Sequence, residues 1–191
     1  MRAARSARYV VASGSLPPGV PRGFYQTLAE QISRAGCRFV LDVSGEPLRR
    51  IGHGVFLMKP SARELAECVG RPLPDRDSQL AAARELITCG VAELVVVSLG
   101  ADGALAVGAD WWEALPATPV SVASAIGAGD AMVAGIVVGF LRELSPTEAM
   151  ELGVAAASVA LVTTGTGPGH PDVIAELLKT RNPPISASRQ A

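Results

Sequence analysis

Residues 93–99 read "ELVVVSL", Glu93 to Leu99, and are the plainest strand in the chain. Apolar side chains fall on both of its faces, so both faces need cover, the usual situation of a strand inside a parallel sheet. The run breaks into Gly100-Ala101-Asp102-Gly103 and resumes as "ALAVG". Towards the N-terminus, "GVFLMK" (Gly54 to Lys59) and "CRFVLDV" (Cys37 to Val43) are further apolar strands. Tyr9 to Ala12 is a shorter one that gives way to the turn-forming "SGSLPPG".

Between these strands the periodicity predicts helices over Pro21 to Ala35, stopped by Gly36, over Ser61 to Val69, and over Ser78 to Cys89, stopped by Gly90. Apolar strands alternating with helices define an α/β class, a mostly parallel sheet covered by helices on both sides. Towards the C-terminus, Ala131 to Leu144 is apolar nearly all round and is expected to be a central helix. "SPTE" (Ser145 to Glu148) has capping-box spacing with proline at the first helical position, and opens a second helix to about Val162. "TTGTGPGHP" reads as a loop, Pro171 to Lys179 as a last helix, and 182–191 as a frayed tail. With no internal repeat or linker, 1–181 is read as one domain.

A chain of 191 residues, 49% hydrophobic and 18% charged, can bury a substantial core. Its net charge of -1 carries no basic excess suited to nucleic acid or an anionic membrane, which favours a small-molecule partner. Cys37, Cys68 and Cys89 are odd in number and widely spaced, and neither His53 nor His170 lies near them. That argues against a zinc site or a disulfide framework and suits a reducing cytoplasm. The longest apolar run, Ala131 to Leu141, is short of the roughly 20 residues a bilayer requires. A cytoplasmic protein is expected.

The chemistry concentrates in "SAIGAGDAMVAGIVVGF", Ser124 to Phe140. Gly127 and Gly129 ahead of a helix leave backbone N–H groups aimed at one spot, which suits an anion. A carboxylate there, Asp130, would repel a phosphate if anion binding were the only task. It makes sense as a base that takes a proton from an attacking hydroxyl while the N–H groups stabilise a transferring phosphoryl. Capping the helix, with the charge favoured by the macrodipole, is the plainer role, and spacing alone does not separate the two. Gly129 is also expected at positive φ.

"IGAGDAMVAG" (Ile126 to Gly135) resembles the C-terminal signature of the ribokinase-like (PfkB) carbohydrate kinases. "VVASGSLPPGV", "LDVSGEPL", "FLMKPSARELAE", "VVVSLGADGAL" and "GVAAASVA" look like other segments of that family, in order. Within it, "SGSLPPG" with "LDVSGE" most resembles the type-2, minor 6-phosphofructokinases. The resemblance implies a three-layer α/β/α fold, ATP as co-substrate with Mg²⁺, and a sugar phosphate as acceptor, fructose 6-phosphate above others. It implies Asp130 as the base, with the N–H groups of Ala128, Gly129 and Asp130 beyond Gly127 as an anion hole. Ser98, Gly100 and Gly103 match the nucleotide-binding turn, and Lys59 matches a lysine near the ATP phosphates. Ser13, Gly14 and Ser15 match a loop at the sugar phosphate. Asp42 would help hold Mg²⁺ through water. A plain hairpin, a solvated lysine, a good turn and a strand-end acid are the structural counterparts of these four assignments.

Three departures stand out. The family's Asn-x-x-Glu reads Ser61-Ala62-Arg63-Glu64 here, which keeps a capping box and weakens the metal role of Glu64. Ala125-Ile126 replaces a threonine often found before the Gly-Ala-Gly-Asp, and Thr163 stands where an asparagine is common near adenine. The family's N-terminal portion, with its first strands and the lid that in many members forms a homodimer contact, has no counterpart before Tyr9. The chain is thus expected to be the C-terminal part of a kinase with an exposed sheet edge. A nucleotide-binding remnant without activity is one alternative. A related kinase, such as a 1-phosphofructokinase, a tagatose-6-phosphate kinase or a nucleoside kinase, is another.

Overall fold

The computed structural model describes residues 6–162, 171–180 and 185–186. Within them the chain divides into two compact units, one made of 6–98 and 106–112, the other of 99–105, 113–162, 171–180 and 185–186.

The first unit is built on four parallel strands in chain order: β1 (Tyr9–Ser13), β2 (Arg38–Asp42), β3 (Val55–Met58) and β4 (Ala92–Ser98). Ser13 pairs with Asp42, Leu41 with Met58, and Met58 with Val95, so the carboxyl ends of the strands lie side by side. Phe39, Val40 and Leu41, all of β3, and Val95 to Val97 are buried, as strands covered on both faces require. The parallel α/β reading of the sequence holds. β1 pairs with β2 and with no other strand among the described residues, and its Val11 is 46% exposed. Among the described residues β1 is thus an edge strand.

Helix α1 (Phe24–Arg34) buries Tyr25, Ala29 and Ile32, a spacing that places them on one face. Gly36, with φ 73°, turns the chain back towards β2. A short helix, α2 (Glu46–Arg49), which the sequence did not signal, follows β2. Helix α3 (Ala62–Val69) starts at Ser61 with the expected capping box. Helix α4 (Arg76–Thr88) starts two residues before the expected Ser78. Asp75 is its cap, and Ser78 answers from the third helical position, donating from its N–H to Asp75 Oδ1 at 2.8 Å.

In the second unit, α5 (Ala128–Leu141) begins and ends three residues earlier than expected. Gly127 is its cap at φ 83°, a left-handed turn that lets the helix start at Ala128. Positive φ therefore falls at Gly127, and Gly129 lies in the helical backbone. Helix α6 (Pro146–Val162) starts as "SPTE" implied: the Glu148 carboxylate accepts from the Ser145 N–H at 2.8 Å. The central helix of this unit is α6, buried at Ala149, Met150 and every position from Leu152 to Ala160. Helix α5 buries only the face carrying Met132, Val133, Ile136 and Phe140, while Val138 and Leu141 are 38% and 47% exposed.

Glycines set the spacing of these two helices. A Cβ on Gly139 would lie 2.6 Å from Ala149 Cα, and one on Gly135 would lie 2.8 Å from Gly153 Cα. The unit also holds α7 (Pro171–Thr180), and the strand Ile185–Ser186 runs antiparallel to Glu113 and Ala114. Two strands follow the Gly100–Gly103 turn, Ala104–Val107 and Trp112–Leu115, the second without a clear sequence signal. The rest of the expected tail, and the loop containing Thr163, lie outside the described residues. No helix among the described residues is long and apolar enough to cross a membrane.

Candidate active site

The parallel register brings several expected site residues of the first unit to one end of its sheet. Ser13 ends β1, Asp42 ends β2, Lys59 follows β3, and Ser98 ends β4. Open α/β sheets bind ligands at this end. The Lys59 ammonium lies 3.0 Å from Asp42 Oδ1 and is nearly withdrawn from solvent. A charge so placed needs its partner, since an isolated buried ion is costly. The Lys59 N–H donates to Leu41 O at 3.0 Å, which anchors the stem of the side chain to β2. A solvated strand-end lysine, the plain alternative, does not describe this residue.

Gly14 continues from β1 at φ 90°, and its N–H donates to Asp42 O at 3.0 Å. The carbonyl of Gly14 accepts from the hydroxyl of Tyr25 at 3.3 Å. Both polar groups of one loop residue are thus held from below, while Ser13, Gly14 and Ser15 face solvent. Tyr25 was not anticipated as part of this site. The only signal was an aromatic in the first turn of an amphipathic helix, which usually means core alone.

Lys59, Pro60 and Ser61 run alongside the end of β4: the Ser98 N–H donates to Pro60 O at 2.9 Å, and Ser61 bridges to Ser98. Glu64 is committed to the capping box, its Oε2 accepting from both the N–H and the hydroxyl of Ser61 at 2.8 Å. Asp42 is committed to Lys59. Among the described residues no group of three or more His, Cys, Asp or Glu could hold a metal ion. Asp42 and Glu64 each have a protein partner of their own here, Lys59 and Ser61.

The second unit contributes the glycine-rich helix start. Gly127, Ala128, Gly129 and Asp130 form the cap and first turn of α5, whose hydrogen-bond ladder opens with the Ala131 N–H donating to Gly127 O at 2.8 Å. The N–H groups of Ala128, Gly129 and Asp130 precede that ladder, at the end of the helix where backbone donors point outward. Gly127 has no side chain to cap them. Asp130, exposed in the third helical position, is among the residues lining a cavity of about 510 Å³, with Ala134, Val138, Leu152, Ala156 and Ile174.

In the turn after β4, the Leu99 N–H donates to Gly103 O at 2.8 Å, and both Gly100 and Gly103 have positive φ, 62° and 91°. A Cβ on Gly103 would meet the backbone of Leu115 to Ala117, so internal packing already demands glycine there. Gly100 has open space beside it. The turn is a tight strand ending, with only Gly100 offering free approach.

The chain belongs to the pfkB family of carbohydrate kinases, which it matches over residues 2–173. It is 50% identical over 164 residues to an ATP-dependent 6-phosphofructokinase isozyme 2 of Mycobacterium tuberculosis, covering 86% of this chain and 48% of that one. It is 41% identical over 151 residues to a 1-phosphofructokinase of Xanthomonas campestris, covering 75% of this chain and 46% of the relative. Its fold matches the crystal structure of phosphofructokinase-2 from Escherichia coli in complex with substrates and products, with a TM-score of 0.84 and 36% identity over 90% of this chain and 56% of that one. The chain spans about half the length of the curated relatives it matches.

Proposed function

We propose that this chain carries the phosphoryl-transfer part of an ATP-dependent sugar-phosphate kinase, converting fructose 6-phosphate to fructose 1,6-bisphosphate. The observation that carries the reading is the start of α5, where Gly127 at φ 83° sets three N–H groups ahead of the helical ladder with Asp130 in the same turn. The sugar hydroxyl attacks the terminal phosphorus of ATP, the bond to the ADP oxygen breaks, and the hydroxyl proton passes to the Asp130 carboxylate. The N–H groups of Ala128, Gly129 and Asp130 offset the charge that develops on the transferring group.

In this reading Lys59 serves the ATP phosphates, Ser98 and Gly100 the nucleotide, and Ser13, Gly14 and Ser15 the sugar phosphate. Gly103 shapes the nucleotide turn. Mg²⁺ enters with ATP as part of the substrate, and Asp42, at the strand ends beside Lys59, helps to hold it through water. The likeness to a 6-phosphofructokinase at 50% identity supports fructose 6-phosphate as acceptor.

A second reading, a nucleotide-binding part that needs further polypeptide to hold sugar, is favoured by the coverage of only 48% of that relative. ADP release from Mg-ATP, measured with fructose 6-phosphate and a panel of other sugars, separates them. Release that depends on fructose 6-phosphate supports the first. ATP binding by the folded chain with no sugar-dependent release supports the second.

A further inference from the structure

We infer that Tyr25 is a positioning residue for the Ser13-Gly14-Ser15 loop, holding the Gly14 peptide in the orientation that receives the sugar phosphate; the last clause rests on the function proposed above. Tyr25 belongs to α1 but reaches out of it. Its ring is 6% exposed, fixed by a helix whose Ala29 and Ile32 are fully buried, and its edge meets the Phe24 ring at 5.7 Å between centroids. From that rigid base the hydroxyl donates to Gly14 O at 3.3 Å.

Gly14 is where the loop could turn in more than one way. At φ 90° it occupies a region that only glycine enters cheaply, and the freedom that lets it adopt this turn would also let it leave. Two bonds oppose that. The N–H is held by Asp42 O at 3.0 Å and the carbonyl by Tyr25, so the peptide groups on either side of the Gly14 Cα are both fixed. Asp42 is in turn held through its carboxylate by Lys59. A continuous series of bonds thus joins α1, the exposed loop and the buried ammonium at the strand ends. The hydroxyl remains protonated and able to donate, because burial raises its pKa above the ordinary tyrosine value.

Removing only the oxygen, by Tyr25→Phe, tests this. Amide hydrogen exchange across residues 13–20 should rise roughly five- to tenfold, the size of one lost hydrogen bond, with exchange in α1 and β2 unchanged. The fructose 6-phosphate concentration that half-protects this segment should rise by a similar factor. In the wild-type protein, a hydroxyl proton bonded to Gly14 should exchange slowly enough for detection by NMR at low temperature.

Faster loop exchange with weaker sugar-phosphate protection supports the whole inference. Faster loop exchange with no protection by fructose 6-phosphate in either protein keeps the positioning role and removes the assignment of the loop to the sugar phosphate. Unchanged loop exchange, or in a variant that does not fold the absence of the wild-type hydroxyl signal, overturns the inference.

Discussion

The Lys59 ammonium and the Asp42 carboxylate face each other at 3.0 Å across the carboxyl ends of β3 and β2, their side chains 7% and 16% exposed. The pair needs a parallel register that brings the ends of adjacent strands together, with Lys59 directly after β3 and its N–H bonded to Leu41 O of β2. It is the point at which the fold of the first unit and the proposed chemistry meet.

Breaking this pair should be costlier than removing it. Asp42→Ala leaves the ammonium buried without its partner and is expected to lower unfolding stability by about 3–5 kcal/mol in urea titration. The double variant Asp42→Ala with Lys59→Met removes both charges and should recover most of that loss. A double variant no more stable than the single one would contradict the account of Lys59.

The glycines of α5 and α6 make a second case. Gly139→Ala would drive a methyl group into Ala149, at 2.6 Å from its Cα, and is expected to cost about 1–3 kcal/mol through overpacking. Ala134→Ser on the exposed face of the same helix should stay within about 0.5 kcal/mol of the wild type. Thermal unfolding followed by circular dichroism reads both.

Stability should fall on the acid side. The carboxyl of Asp75 is held below its ordinary pKa by the N–H and hydroxyl of Ser78, that of Glu148 by Ser145, and that of Glu85 by the Arg71 guanidinium. Each folded-state pKa is depressed, so each contribution is full above the unfolded-state value near pH 4 and is lost as pH falls through the lower folded-state value. Urea midpoints should therefore decline between about pH 5 and pH 2. Ser145→Ala should flatten part of that slope, and an unchanged slope would count against the capping role of Glu148.

Thiol chemistry should separate the cysteines. Burial, reinforced by the Glu64 charge, pushes the Cys68 thiol up to about 11, while Cys89 is exposed. Alkylation near pH 8, followed by peptide mapping, should modify Cys89 first. Cys68 reacting as fast as Cys89 would contradict the buried environment assigned to it.

Much of the fold was legible because its signals are local. Ser61 and Ser145 mark helix starts through side chains that reach three residues onward, and β2 to β4 show their burial as unbroken apolar runs. The start of α5 lies three residues before the expected one because its cap is a left-handed glycine, Gly127, and the two glycines of the motif look alike in sequence. That helix also reads as central, although Ala134, Val138 and Leu141 on it are exposed, since hydrophobicity along one helix does not reveal which neighbours cover it. The pairing of Lys59 with Asp42 and the reach of Tyr25 to Gly14 depend on chain segments brought together by folding, 17 and 11 residues apart in sequence. Neither has a local signature.

The most direct test of the central claim is Asp130→Asn, with sugar-dependent ADP release and ATP binding measured on the same preparation. The substitution keeps the α5 start and its N–H groups but removes the proton acceptor. Turnover is expected to fall about 10²–10⁴-fold, with ATP affinity nearly unchanged. Turnover at the wild-type rate by the Asp130→Asn variant would contradict that claim.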